Sequence, residues 1–148
     1  MARSEFNVRL RFPAERASLA RVRSVVEAVL QQESGFSGDE VQDIVLGLQE
    51  TLSNVTRHAY AGGGGTIDVT LRSRPGGFDA RVRDRGPAFD PTTAAAEGPG
   101  RPRDGGYGLM LVRRTMDRIA YQRRGDENVV RLTRSARPRL KSRRVSAR

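Results

Sequence analysis

The spacing of hydrophobic residues constrains the fold of this chain more than any other feature of its sequence. Five short segments alternate hydrophobic and polar residues, which is the period of a half-buried strand, and three longer segments repeat hydrophobic residues at helical spacing. Their order is strand, helix, helix, strand, strand, loop, helix, strand, strand. Because strands neighbour strands instead of alternating with helices, we expect an α+β fold. It would consist of a mixed, mostly antiparallel sheet with helices packed on one face.

The predicted elements can be placed along the chain. The strands are expected at residues 6–12, 67–71, 78–82, 119–121 and 130–132, and the helices at 15–32, from 37 to about 60 and from about 106 to 116. Ser37 and Glu40 form a capping-box pattern at the start of the second helix. The stretch from Arg85 to Asp104 has no hydrophobic period, and a structureless loop of this length inside a compact domain is usually functional.

Composition excludes several classes of protein. The chain has no cysteine and a single histidine, His58, so a disulfide framework, a thiolate metal site and a histidine metal centre are excluded. We expect His58 to have a packing or capping role. No apolar run is long enough to cross a bilayer, and the N-terminus lacks a hydrophobic signal segment. The sequence therefore predicts a cytoplasmic protein with no membrane partner.

The positive charge of the chain is concentrated at its C-terminal end. Seven of the net +10 charges come from Arg134, Arg137, Arg139, Lys141, Arg143, Arg144 and Arg148. The sequence accordingly divides into a domain at residues 1–134 and a basic tail at 135–148, which is predicted to be disordered. A basic arm can bind nucleic acid. No aromatic or helix-turn-helix pattern accompanies the charge, however, so nucleic acid is the least favoured partner.

Three groups of residues have the chemistry of a binding site. Glu50 and Asn54 are four residues apart on the second helix, so they share one face, opposite the hydrophobic stripe. A carboxylate and a carboxamide stacked in this way can share a Mg²⁺ ion, although an ordinary polar helix face has the same spacing. Asp84 lies on the hydrophobic side of its strand, so its carboxylate needs a partner if it is buried. Gly86 follows, where a backbone can pass close to a ligand.

The third group is the glycine cluster that opens the last helix. Gly105, Gly106 and Gly108 allow close approach of the backbone, and the N-terminus of a helix presents free N–H groups to an anion. Phosphate binding is the natural hypothesis, although glycine-rich turns before helices are common. The chain contains neither a GxxxxGK[ST] loop nor the HRD and DFG motifs of ordinary protein kinases.

Taken in order, the three groups resemble the nucleotide-binding boxes of the gyrase, Hsp90, histidine kinase and MutL ATPases. Residues 50–60 (ETLSNVTRHAY) resemble the N-box, residues 84–91 (DRGPAFDP) the G1 box and residues 105–112 (GGYGLMLV) the G2 box. The HAY ending is most similar to the anti-sigma-factor serine/threonine kinases of bacterial partner-switching systems. The resemblance covers nearly the whole chain and implies a two-layer Bergerat fold, in which the loop from Arg85 to Asp104 is the ATP lid.

The resemblance also implies a role for each candidate residue. Glu50 is the catalytic residue, which orients or deprotonates the attacking hydroxyl group. Asn54 coordinates the Mg²⁺ ion on ATP. Asp84 accepts the adenine amino group beside Gly86. The phosphates are cradled by Gly105, Gly106, Gly108 and Leu109.

The implied function is that of an ATP-dependent anti-sigma-factor kinase. Such a protein phosphorylates a serine or threonine of a STAS-type antagonist and binds a sigma factor, usually as a homodimer. An alternative is a non-catalytic ATP-binding module that acts by sequestering its partner. A third hypothesis gives the basic tail the main role, as a nucleic-acid-binding arm.

Overall fold

The elements of the fold follow the order predicted from the sequence. The computed structural model describes residues 5–33, 35–59, 64–93 and 108–135. The strands and helices are β1 (Phe6–Pro13), α1 (Arg16–Glu33), α2 (Gly38–Asn54), β2 (Thr66–Arg74), β3 (Gly77–Asp84), α3 (Gly108–Thr115), β4 (Arg118–Arg124) and β5 (Glu127–Ser135). A π-helical turn, Val55–Ala59, continues α2 almost to the predicted helix end.

The five strands form one sheet in the order β1-β2-β3-β5-β4. Every neighbouring pair in this order is antiparallel, so the sheet that we expected to be mostly antiparallel is antiparallel throughout. Since β5 lies between β3 and β4, the last of the described strands is an interior strand of the sheet. Its first residues therefore lie beside the end of β3.

The helices pack on one face of the sheet, as the hydrophobic pattern predicts. Ile44, Leu48 and Leu52 of α2 are fully buried in one core with alternate residues of the strands, including Val82 and Leu132. Burial of each such side chain contributes about 1.5–3 kcal/mol. This stripe fixes the rotation of α2, and it leaves the opposite face of the helix for polar residues.

The start of α2 is fixed by the predicted capping box. The Ser37 hydroxyl accepts a hydrogen bond from the Glu40 amide (3.2 Å), and the Glu40 carboxylate accepts one from the Ser37 amide (2.8 Å). The two bonds satisfy backbone donors that have no partner within the helix. Because the first turn is fixed, every later residue of α2 has a defined direction.

A glycine allows α3 to lie directly against α2. A Cβ atom added at Gly47 would be only 2.7 Å from Thr115 Oγ1 and 3.0 Å from the Met116 side chain, which is closer than real contacts allow. Any larger residue at Gly47 would therefore push the two helices apart. This contact sets the position of α3 beside the polar residues of α2.

Two predicted segments lie mostly outside the described residues. Of the expected lid, residues 85–93 are described and 94–104 are not. Of the basic tail, only Ser135 is described, as the last residue of β5. Among the described helices, none combines the length and the apolar character that a membrane span requires.

Candidate functional site

Glu50 and Asn54 meet the start of α3. A Cβ atom added at Gly108 would lie 3.0 Å from Glu50 Oε1, and 3.6 and 3.8 Å from the Asn54 carboxamide atoms Nδ2 and Oδ1. Leu109, the next residue of α3, is buried. The structure thus brings together Glu50, Asn54 and Gly108, which the sequence could only assign to separate elements. Any side chain at Gly108 would crowd the Glu50 carboxylate.

An arginine about one helical turn further along forms a hydrogen bond with the carboxamide oxygen of Asn54. Arg57 lies in the π-helical turn, and its Nη2 atom donates a 2.8 Å hydrogen bond to Asn54 Oδ1. Arg57 is exposed. Its side chain can therefore leave this oxygen without uncovering any of the core. A cation that is coordinated by Asn54 Oδ1 would have to displace this guanidinium group.

His58 connects the end of the helix to the loop that follows β3. Its ring stacks on the ring of Phe89, with centroids 4.6 Å apart and an angle of 18° between the planes. Burial lowers the pKa of His58, and the charge of neighbouring Arg57 lowers it further. At neutral pH the neutral imidazole is therefore the favoured form in the folded protein. The stack on Phe89 agrees with packing, one of the two roles expected for His58.

Asp84 is buried at the end of β3 and has the partners that such a carboxylate requires. Its Oδ1 atom accepts hydrogen bonds from the Gly86 amide (2.8 Å) and from Asn128 Nδ2 (2.9 Å). No described residue donates to the second oxygen, Oδ2. Asp84 therefore keeps one oxygen as a free acceptor, beside a glycine that is itself buried.

Asn128 is a site residue that the sequence analysis did not identify. It lies directly opposite Asp84 in the pairing of β3 with β5, and only 2% of its surface is exposed. Besides the bond to Asp84, its Nδ2 atom donates to the carbonyls of Pro87 (2.9 Å) and Gly86 (3.3 Å). One amide group therefore holds both the carboxylate and the loop that follows it.

The carbonyl side of Asn128 is equally occupied. Its Oδ1 atom accepts hydrogen bonds from the Tyr121 hydroxyl (2.6 Å), Arg123 Nη1 (3.2 Å) and the Phe89 amide (3.4 Å). Arg123 also donates to the Gly86 carbonyl (2.8 Å). In the sequence, Asn128 appeared only as part of the turn before the last strand. Its alternation with Val130 and Leu132 was the signal that places it on the core face.

The remaining predicted site residues lie outside the described part of the chain. Gly105 and Gly106 belong to residues 94–107, so the structure places only Gly108 and Leu109 of the glycine cluster. The described site therefore has two halves, one on α2 and α3 and the other at the adjoining ends of β3 and β5.

Comparison with known proteins identifies the family. Residues 12–134 match the profile of the histidine kinase-like ATPase domain. The chain belongs to this family. Among its relatives is a serine/threonine-protein kinase, BtrW of Bordetella bronchiseptica, 35% identical over 100 residues that cover 64% of this chain and 70% of that protein. Another is a serine-protein kinase, RsbW of Bacillus licheniformis, 28% identical over 134 residues that cover 82% and 81%.

Solved structures support the fold of this histidine kinase-like ATPase domain. A chain with the RsbU and RsbW domains of a Mycobacterium tuberculosis protein superposes with a TM-score of 0.61 at 20% identity, over 90% of this chain and 33% of that one. The histidine kinase domain of a blue-light-activated kinase from Erythrobacter litoralis gives a TM-score of 0.54 at 19% identity, over 79% and 58%. The predicted Bergerat-type architecture is confirmed.

The family also explains why the two halves of the site lie on neighbouring elements. In a histidine kinase-like ATPase domain the bound ligand is ATP, which has a base at one end and phosphates at the other. The free oxygen of Asp84 is an acceptor suited to an amino group, whereas α3 begins beside Asn54 with backbone N–H groups suited to an anion. ATP use by this domain thus agrees with the chemistry of both halves.

The residues around Asn54 also fit a magnesium ion. Carboxylate and carboxamide oxygens are hard ligands, and Mg²⁺ is usually held by one or two protein groups together with phosphates and waters. Within the described ranges, no group of three or more acidic or histidine side chains forms a complete metal cage. Asn54, with Glu50 nearby, has the hard oxygen atoms that a phosphate-bound Mg²⁺ would need.

Proposed function

We propose that this protein is a serine/threonine protein kinase that transfers the γ-phosphoryl group of ATP to a protein partner. The observation that carries the proposal is the position of Glu50, whose carboxylate lies against the start of α3 and beside Asn54. A carboxylate at this place is suited to receive a proton from a hydroxyl group that attacks the end of the phosphate chain. The kinase names of the relatives from Bordetella and Bacillus support the same activity.

In this reaction Glu50 acts as the proton acceptor. The partner's hydroxyl oxygen forms a bond with the γ-phosphorus while its proton passes to the Glu50 carboxylate. The bond from the γ-phosphorus to the oxygen bridging to the β-phosphate breaks, and ADP leaves. Mg²⁺, when bound, neutralises charge on the phosphates. Positioning and charge neutralisation supply most of the acceleration in phosphoryl transfer.

Asp84 binds the base in this proposal, and Asn128 positions Asp84. The free Oδ2 of Asp84 accepts a hydrogen bond from the exocyclic amino group of adenine. Asn128 does not contact the base but fixes the carboxylate through Oδ1, so it is a positioning residue. Gly105 and Gly106 remain proposed phosphate-binding residues together with Gly108 and Leu109.

The proposal includes partners and a location. The substrate is a STAS-type antagonist phosphorylated on serine or threonine, and the same kinase binds a sigma factor as a homodimer. Because sigma factors act on RNA polymerase in the cytoplasm, the protein is proposed to be cytoplasmic.

Replacement of Glu50 tests the proposal. Glu50→Gln keeps the size of the side chain but cannot take a proton, so phosphotransfer from labelled ATP to a STAS partner should fall by about 10²–10⁴-fold. ATP binding, measured by calorimetry, should persist. Glu15→Gln, at an exposed position before α1, is the matched control and should retain full activity.

The outcomes separate the two candidate functions. Normal phosphorylation by Glu50→Gln would remove Glu50 from its assigned role. ATP binding by the wild-type protein without transfer to any STAS partner would instead favour a non-catalytic module that acts by sequestration.

A further inference from the structure

The face of the sheet that is turned away from the helices is rich in arginine. Strand register places the residues of neighbouring strands in rows across this face, and its three central rows on β1, β2, β3 and β5 contain six arginines: Arg9, Arg11, Arg72, Arg81, Arg83 and Arg131. We call these six residues the arginine face. The same rows contain two acidic residues, Asp68 and Asp79, which leaves an excess of four positive charges.

The positive charge is poorly compensated on β3 and β5. Arg81 and Arg131 lie directly opposite each other in the strand pairing, where like charges are destabilising. Arg131 forms an ion pair with buried Asp79 (3.1 Å), yet its Nε atom is buried without a hydrogen-bond partner. Arg81 forms no ion pair with any described residue. An external anion at this place would relieve the repulsion.

A groove on this side of the sheet provides space for such an anion. It encloses about 480 Å³ along β3, β5 and β4, and its lining includes Arg81, Arg131 and Arg124 but no acidic side chain. A second cleft, of about 370 Å³ at the end of the sheet, is different because it is lined by Asp68, Asp84 and Glu127 as well as by arginines. Of these two, only the larger groove has no acidic side chain in its lining, and Arg81 and Arg124 within it form no ion pair with a described residue.

The charge of the arginine face narrows the choice of occupant. In a symmetric dimer the face would meet itself, which would bring the excess positive charges of two copies together. The C-terminal tail at residues 135–148 is itself basic, so it is repelled as well. The charge therefore favours an acidic ligand.

An acidic protein segment fits better than a nucleic acid. Sites for single-stranded nucleic acid combine a continuous basic track with aromatic side chains on which the bases stack. Here Asp68 and Asp79 interrupt the track. The one aromatic residue that lines the groove, Tyr121, has its hydroxyl group bonded to Asn128 on the opposite side of the sheet.

We propose that the arginine face and the adjoining groove bind an acidic segment of a partner protein. Its aspartate or glutamate side chains pair with Arg81 and Arg131 of the face and with Arg124 of β4. The helices and the candidate nucleotide site lie on the other side of the sheet. The acidic segment therefore binds without competing with ATP. This inference does not depend on kinase activity.

The test uses the full chain and a fluorescein-labelled peptide of alternating glutamate and serine. Arg81→Gln/Arg124→Gln removes two groove cations that form no ion pair with described residues, so the fold should be unaffected. Fluorescence anisotropy should show affinity weakened about tenfold, because two exposed charge pairs with the peptide are lost. Arg16→Gln/Arg23→Gln, at exposed positions of α1, changes the net charge equally and should bind as the wild type does.

Three results would overturn the proposal. Equal weakening by both double variants would mean that the peptide senses only the overall charge. Tighter binding of a thymidine 15-mer, with the same dependence on Arg81 and Arg124, would assign the groove to nucleic acid. A change of oligomeric state in sedimentation, confined to the groove variant, would assign this side of the sheet to a second copy of the chain.

Discussion

Asn128→Leu is the most informative single change that the structure suggests. Leucine has the same branched arrangement of side-chain heavy atoms but can neither donate nor accept a hydrogen bond. The variant loses the bond to the Asp84 carboxylate, the bond to the Pro87 carbonyl and the bond from the Tyr121 hydroxyl. A bond to a charged group contributes about 1.5–3 kcal/mol and a neutral bond about 0.5–1.5 kcal/mol. The free energy of unfolding should therefore fall by about 2.5–6 kcal/mol.

The same variant should change nucleotide binding in a particular way. Asp84 keeps only the Gly86 amide as a donor, so its carboxylate can rotate and its free oxygen loses a fixed direction. The KM for ATP should rise by roughly tenfold or more, the equivalent of about 1.4 kcal/mol. The kcat should change little, because the proposed proton acceptor, Glu50, lies on another element. A raised KM with an unchanged kcat is not expected if Asn128 has only a structural role.

The assay combines urea denaturation with steady-state kinetics at several ATP concentrations. Asn7→Leu is the matched control, since Asn7 is exposed on β1 and should tolerate the change with no loss of stability or affinity. A stability loss with an unchanged KM would refute the positioning role of Asn128. Unchanged stability would refute the larger claim that the buried network contributes to folding.

Three further predictions concern the α2 half of the site. Gly108→Ala should lower phosphotransfer because its Cβ would lie 3.0 Å from the Glu50 carboxylate, the proposed proton acceptor. Gly38→Ala, with no atom within 4 Å, should leave phosphotransfer unchanged. Asn54→Ala should weaken ATP binding with Mg²⁺ more than without it, as measured by calorimetry. Because the pKa of His58 is lowered in the folded protein, the unfolded chain takes up a proton at a higher pH than the folded protein does. Wild-type stability should therefore fall as the pH drops below about 6.5. His58→Phe, which keeps the stack on Phe89, should lose less stability between pH 7 and 5.5 in urea titrations.

Local patterns were sufficient to predict the elements and part of the site. The capping box at Ser37 and the hydrophobic stripe together fix the rotation of α2, so the shared face of Glu50 and Asn54 was visible in the sequence. The strand alternation likewise predicted that Asp84 is buried and needs partners. These features depend on residues that are close together in the chain.

Features that depend on long-range pairing could not be predicted. Asn128 meets Asp84 only because β5 pairs with β3 in one register, and a shift of one residue would turn its side chain to the other face. The same register brings Arg81 opposite Arg131. Likewise, Gly108 approaches Glu50 only because Gly47 lets α3 lie close to α2. No single segment of the sequence contains this information.

The interior position of β5 has a consequence for synthesis of the protein. β5 pairs with both β3 and β4. Until β5 has emerged from the ribosome, one edge of β3 is therefore unpaired and the core beside it is open. Exposed strand edges promote aggregation, so the incomplete chain is expected to be its most vulnerable form. Asn128 is part of β5, so it cannot bind Asp84 before this strand has been synthesised. A ribosome-bound chain should therefore form the half of the site that contains Asp84 only after β5 has emerged.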